Sequence, residues 1–233
     1  MKRKYILAFL LFFVFVVATY YVGGFNYSNV EVKKVFENHD KEYSVAQIKE
    51  DNEKYSIQIY YPITNYEELN KEVNENIQEY IKQLKQYYQS HNTQINEKFI
   101  LNAKFDKYLY GDYISFVFFL DIDVLGVHPI HDIFTITYDT KVNKIVKIED
   151  LVDKNKNILS ILSKYTYNSL KENEKIKQYN SIDMLKQGTD KKLENFEDFV
   201  FDREGLKIYF ENYTVAPYAA GEFFVIVPYD KLK

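Results

Sequence analysis

Between Phe99 and Asp139 the chain carries three consecutive stretches, FILNAKFDKYLY, YISFVFFLDIDVL and IHDIFTITYD, separated by Gly111-Asp112 and by Gly126-Val127-His128-Pro129. Each stretch is rich in β-branched and aromatic residues and the separators are turn formers, so the pattern spells an antiparallel meander. Three long strands side by side oblige the remaining segments to extend that sheet or to cover it.

An earlier hairpin is written in the same way. Glu42 to Lys49 and Lys54 to Tyr61 alternate around Asp51-Asn52-Glu53, and Pro62, which has no N–H for a ladder, is expected to end the second strand. Phe25 to Glu37 reads as a stem or first strand. Between hairpin and meander the period changes: Leu69, Val73, Ile77, Ile81, Leu84 and Tyr88 recur at three to four residue intervals. That spacing predicts a helix to about Gln89, with Asn65 as N-cap, Glu68 completing a capping-box pattern, and a solvated face bearing Glu67, Lys71 and Glu75.

After the meander, Thr140 to Lys144 turns into a short IVKI segment. Asn155 to about Glu172 reads as a second helix, with Ile158, Ile161, Leu162, Tyr165 and Leu170 on one side. Lys175 to Lys192 reads as polar and irregular, apart from a helical turn around Asp183 to Lys186. Strands return at Phe196–Phe201, Leu206–Phe210 and Phe223–Val227. Strands segregated around two main helices give an α+β class of mostly antiparallel sheets. The expected division is 1–24, 25–92 and 93–233.

The first of these segments sets the expected location. Tyr5 to Gly24 is uncharged and follows Lys2-Arg3-Lys4. At about 1.5 Å per helical residue it is long enough for a bilayer core of about 30 Å, and the basic flank favours a cytoplasmic N-terminus. The expectation is one transmembrane helix and a body on the outer side of the cytoplasmic membrane. The rival is a cleaved signal, with Val16-Val17-Ala18 before the cut and a secreted product. There is no cysteine, so neither a lipid-modified thiol nor a disulfide supports the fold.

Charge narrows the partners. Residues 1–24 hold three of the 30 Lys and Arg and none of the 34 Asp and Glu, so the remainder carries a net charge of −7. Such a body is a poor binder of nucleic acid and suits a cationic protein.

Candidate chemistry is sparse. His128-Pro129-Ile130-His131-Asp132 with Asp121 and Asp123 one strand earlier invites a metal reading. Strand residues three apart face opposite sides, however, so the spacing favours a turn histidine, His128, that binds backbone groups. No metal or cofactor is expected. Glu211, Glu222 and Asp121 lie among aromatic residues where a carboxyl pKa can rise. No nucleophile elbow, phosphate loop or dinucleotide fingerprint is present, so the expectation is not an enzyme. Of 23 Tyr and 18 Phe, most must be core; Tyr110, Tyr213 and Tyr218 lie in or beside expected loops and join His128 as candidate binding residues. Pro217 and Gly221 are explained by loop geometry.

Two blocks carry a resemblance. YSIQIYYPITNYEELNKEVNENIQEYI, residues 55–81, resembles the N-terminal hairpin-and-helix module of PdaC-type peptidoglycan deacetylases and RsiV-type anti-sigma factors. Residues 126–152 with 201–233 resemble the RsiV-like C-terminal domain family, a domain of unknown function. The motifs are the Gly126-Val127-His128-Pro129 turn, where the family has Gly-Ala-His or similar; Thr137-Tyr138-Asp139 followed by Glu149-Asp150-Leu151; and Ala216-Pro217-Tyr218-Ala219-Ala220-Gly221.

The resemblance implies an extracytoplasmic binding module of the cell envelope, with lysozyme as ligand in the anti-sigma case and peptidoglycan in the deacetylase case. Nothing here matches the deacetylase Asp-Asp and His motifs, and only Met1 to Lys4 precede the apolar run, so neither deacetylation nor sigma-factor sequestration is carried over. The alternative is an enzyme acting on cell-wall polysaccharide through acidic residues not yet identified.

Overall fold

The structure, a computed structural model, describes residues 31–37, 43–90 and 97–233. The expected membrane segment lies outside the described residues, and among those no helix is long and apolar enough to cross a membrane.

Seven strands form the main sheet in sequence order: β1 (Glu31–Glu37), β2 (Tyr43–Asp51), β3 (Tyr55–Thr64), β4 (Phe99–Tyr110), β5 (Tyr113–Asp123), β6 (Ile130–Asp139) and β7 (Lys144–Val146). All neighbours are antiparallel except β3 and β4, which run parallel. A parallel step needs a crossover. Helix α1 (Glu67–Ser90) supplies it and buries Leu69, Val73, Ile77, Ile81 and Leu84, the stripe read from the period. That stripe meets Ile57, Ile59, Leu101, Phe116, Phe118 and Phe134 of the sheet in one cluster. The expected division at residue 92 falls within this crossover, and β3 pairs with β4 across it.

A second sheet, ordered β10-β9-β8, is built by β8 (Phe199–Phe201), β9 (Leu206–Phe210) and β10 (Phe223–Val227). Its outer face packs with α2 (Ile148–Lys154), α3 (Ile158–Leu170), α4 (Glu174–Gln178) and α5 (Ile182–Gly188) around Leu162, Ile176, Leu185, Phe199, Ile208 and Val225. Its inner face meets the main sheet through Val117, Ile133, Val200 and Tyr209. Strand β5 is thus covered on both faces, which is why it reads as a nearly continuous apolar run rather than a clean alternation.

The sheets lock together through hydroxyls. Phe199 N donates to Thr135 Oγ1 at 2.9 Å and Phe201 N lies 3.4 Å from Ser115 Oγ. The Thr137 hydroxyl is shared between Ser115 Oγ at 2.9 Å and Phe199 O at 3.2 Å. These side chains satisfy the edge of β8 as another strand would. Thr137→Val, which keeps the shape and removes the hydroxyl, is therefore expected to lower the unfolding free energy by about 1–3 kcal/mol in urea denaturation, because buried partners lose their bond.

Several expectations shift. Pro62 does not end β3, which runs to Thr64. Beyond Ile59, β4 no longer pairs with it, so Pro62 sits on a one-sided edge where its missing N–H costs no ladder bond. Helix α1 begins at Glu67, two residues after the expected Asn65 cap. Asn70 and Thr64 organise this start, with Asn70 Oδ1 accepting from Thr64 N at 2.8 Å and Thr64 Oγ1 from Tyr66 N at 3.1 Å. The helix expected from Asn155 is α3, an unanticipated α2 precedes it, and the two are separated where Asn155 Oδ1 accepts from Asn157 N and Asn155 Nδ2 donates to Leu232 O. In Lys175 to Lys192 the expected turn around Asp183 to Lys186 is α5, and the part read as irregular also holds most of α4. Among the described residues five α-helices therefore replace two, although α1 and α3 remain the longest.

One resemblance motif proves architectural. Asp139 Oδ1 accepts from Lys141 N and Val142 N, turning β6 into β7. Asp150 accepts from Lys147 N and Lys144 Nζ at the start of α2, which holds its carboxyl below the ordinary range.

Candidate functional site

The other two motifs meet in space. The β5–β6 loop starts with an Asx-type turn, Leu125 N donating to Asp123 Oδ1, and ends at a fully exposed tip, Val127. Next to it, His128 Nδ1 lies 2.8 Å from Pro129 O. A carbonyl only accepts, so Nδ1 carries a proton, and Nε2 lies 3.3 Å from Tyr213 Oη. This is the backbone-binding turn histidine expected from the sequence.

From the second sheet, Tyr218 reaches across. Its hydroxyl donates to Pro129 O at 2.7 Å, and its ring stacks on His128 with centroids 3.9 Å apart. His131 also lies parallel to Tyr218, at 5.8 Å, and Tyr213 is tilted at 5.8 Å. The alternation argument that separated the two histidines does not hold, because His128 precedes β6 and lies in the turn. Tyr213 is 58% exposed at φ +66°, a left-handed backbone uncommon for a bulky residue and one seen at ligand contacts.

Beside this ring cluster lies an open cleft of about 750 Å³. Its main-sheet wall carries Lys104, Asp106, Phe119, Asp121 and His131, and its other wall is the Tyr218–Glu222 loop with Lys175 and Asn212. Asp121 and His131 are cross-strand partners, and the carboxylate accepts from His131 Nδ1. The loop is braced by α4: Lys175 Nζ donates to Ala220 O at 2.9 Å, and Tyr179 Oη to Ala219 O at 3.2 Å. Gly221, at φ +76°, closes it. The polar segment without an evident role in the sequence thus shapes the cleft wall.

Three of the four sequence candidates, His128, Tyr213 and Tyr218, converge. Tyr110 does not: it lies at the opposite end of the β4–β5 hairpin, stacked on Tyr229 at 4.4 Å. Asn102, which pairs with Asp121, is eight residues from Tyr110, about 27 Å along the strand. Sequence reasoning missed His131 and Lys175 as cleft residues. Among the described residues no group of three or more His, Cys, Asp or Glu is placed to hold a metal ion.

The electrostatics single out Glu222. Burial pushes its carboxyl above the ordinary value, the charges of Asp121 and Asp132 add to the rise, and His131 and Lys104 oppose it. The unfolded chain therefore releases this proton first as pH rises from the ordinary 4.5. The stability Glu222 contributes is complete below that pH and is lost as pH climbs through the folded value. Wild type is accordingly expected to lose stability relative to Glu222→Gln as pH rises from 4.5, read as urea midpoints across pH. Burial likewise raises the Tyr218 phenol, assisted by Tyr213, Asp121 and Glu222, so it remains a hydrogen-bond donor.

Comparison with known proteins gives the chain's relatives. A curated relative, peptidoglycan-N-acetylmuramic acid deacetylase PdaC of Bacillus subtilis, is 25% identical over 194 residues, which cover 81% of this chain and 40% of the relative. The chain thus spans about two fifths of the length of that protein. A solved structure of a DUF3298 family member from Bacteroides fragilis shares 18% identity at TM-score 0.54, covering 81% of this chain and 90% of its own. A DUF3298 family protein from Pseudomonas aeruginosa shares 13% at TM-score 0.55, covering 87% and 92%. At those identities the likeness shows the fold. Residues 149–230, which here form the second sheet, most of its helices and the loop bearing Tyr213 and Tyr218, match the model of the protein family of unknown function DUF3298.

Proposed function

We propose that this chain is a non-enzymatic binding module of the bacterial cell envelope and that its cleft takes cell-wall glycan. The observation that carries the reading is the convergence of His128, Tyr213 and Tyr218 at the mouth of an open cleft lined with carboxylates, amines and an imidazole. A sugar presents apolar C–H faces to aromatic rings and hydroxyls to polar side chains, and this site supplies both. The relative's printed substrate, a peptidoglycan sugar, supports the same ligand class. An apolar run behind three basic residues supports a position outside the cytoplasmic membrane with the N-terminus inside.

The full-length chain in mild detergent is expected to sediment with purified peptidoglycan sacculi and to release no soluble fragments from them. Failure to sediment with sacculi contradicts the reading, and capture of lysozyme instead assigns the surface to a cationic protein. A second reading, an enzyme with Glu222 as its acid, is favoured by the raised carboxyl in the cleft. Release of soluble fragments that stops in Glu222→Gln would establish it. Protease added to intact protoplasts is expected to digest the body of the chain.

A further inference from the structure

The charges in the cleft do not balance. Lys175 is spent on the Ala220 carbonyl, and Asp121 answers His131 with one of its oxygens. Glu222 faces the same space with no hydrogen bond or ion pair among the described residues. Asp106 also lines the cleft, and Lys104 is its one remaining lysine. A neutral N-acetylated sugar offers hydroxyls and an amide there, but nothing that answers an unpaired carboxylate. A hexosamine that has lost its acetyl group does, because its free amine takes up a proton in mildly acidic solution to become an ammonium.

We propose that the cleft recognises a de-N-acetylated amino sugar of the wall glycan, its ammonium held at Glu222 and Asp121 and its ring against the Tyr218–His131 wall. This rests on the glycan reading above. The reaction that supplies such a ligand is hydrolysis of the N-acetyl amide, in which water cleaves the C–N bond to give acetate and the sugar ammonium. That is the chemistry printed in the name of the curated relative, so the module would read the product of such a reaction. Charge-assisted bonds from an ammonium to carboxylates are shorter and stronger than neutral ones, so the site would discriminate by the acetyl group rather than by the sugar ring.

The test uses titration calorimetry on the full-length chain with two probes, a glucosamine hexamer and an N-acetylglucosamine hexamer, in mildly acidic buffer. Wild type is expected to bind the free-amine hexamer about tenfold tighter or more, with the advantage shrinking as salt rises. Glu222→Gln should abolish that preference, the affinity for the free-amine hexamer falling to that for the acetylated one. Asp183→Asn, an exposed acid on α5 away from the cleft, should keep it, which separates the site from general attraction between an acidic protein and a polycation. Equal affinities, a preference for the acetylated hexamer, or a preference that survives Glu222→Gln overturns the inference and leaves the glycan reading standing. Absence of binding to both hexamers and to sacculi overturns the reading itself, and with it this inference.

Discussion

Phe118→Ala should lower the unfolding free energy by about 3–5 kcal/mol. The ring is fully buried, stacks on Phe134 with centroids 4.4 Å apart and tilts against Phe105 at 5.6 Å, all on the face of the main sheet that α1 covers. Truncation removes the transfer energy of a whole ring, and it also leaves a void between a helix and a sheet fixed by pairing on both sides of β5. Equilibrium urea denaturation reads the loss as a lower midpoint at unchanged slope. A change below about 1 kcal/mol would mean that α1 and the main sheet do not share the central core described here.

Gly188→Ala should disturb both stability and ligand capture. A Cβ at this position would lie 2.1 Å from Thr214 O and 2.9 Å from Val215 Cγ1, so the backbone that carries Tyr213 and leads into Tyr218 must move. Overpacking of this kind costs about 1–3 kcal/mol. Gly205→Ala is the matched control. Its Cβ would meet Val227 O at 2.3 Å, an equally severe clash at the other end of the second sheet. Both variants should lose stability in urea, but only Gly188→Ala should also lose sedimentation with sacculi under conditions where the protein remains folded. Equal capture by the two would detach the Tyr213–Tyr218 loop from ligand binding.

These two positions mark what could be read from the residues alone. The meander around Phe118 was legible because long β-branched and aromatic runs separated by Gly111-Asp112 and Gly126-Val127-His128-Pro129 leave few alternatives. Helix α1 was legible because its apolar stripe never breaks period. The surroundings of Gly188 were not legible. Helices α4 and α5 are five and seven residues long and place Ile176, Ile182 and Leu185 among mainly polar neighbours, too few for a period to emerge. Their packing comes from contact with the second sheet, which no local pattern encodes.

The site shows the same boundary. Loop position and residue type were enough to nominate His128, Tyr213 and Tyr218, and those three converge. The same reasoning nominated Tyr110, whose place at the far end of β4 follows from strand register. His131 was set aside by an alternation argument valid within a strand, whereas His128 lies in the turn before one. The cleft lies between main-sheet strands and the Tyr218–Glu222 loop, brought together by a second sheet that is joined to the first through Ser115, Thr135, Thr137 and the residues packed between them. Contacts of that range are tertiary, and the sequence motifs mark only their ends.

The most direct test compares two tyrosines in one assay, the sedimentation of the full-length chain with purified sacculi. Tyr218→Ala is predicted to weaken capture about tenfold or more, since it removes the ring on which His128 stacks and the bond to Pro129 O, while Tyr110→Ala, at the opposite end of the hairpin, leaves capture unchanged. Capture that survives Tyr218→Ala, or that falls equally in Tyr110→Ala, contradicts the assignment of this cleft as the glycan site.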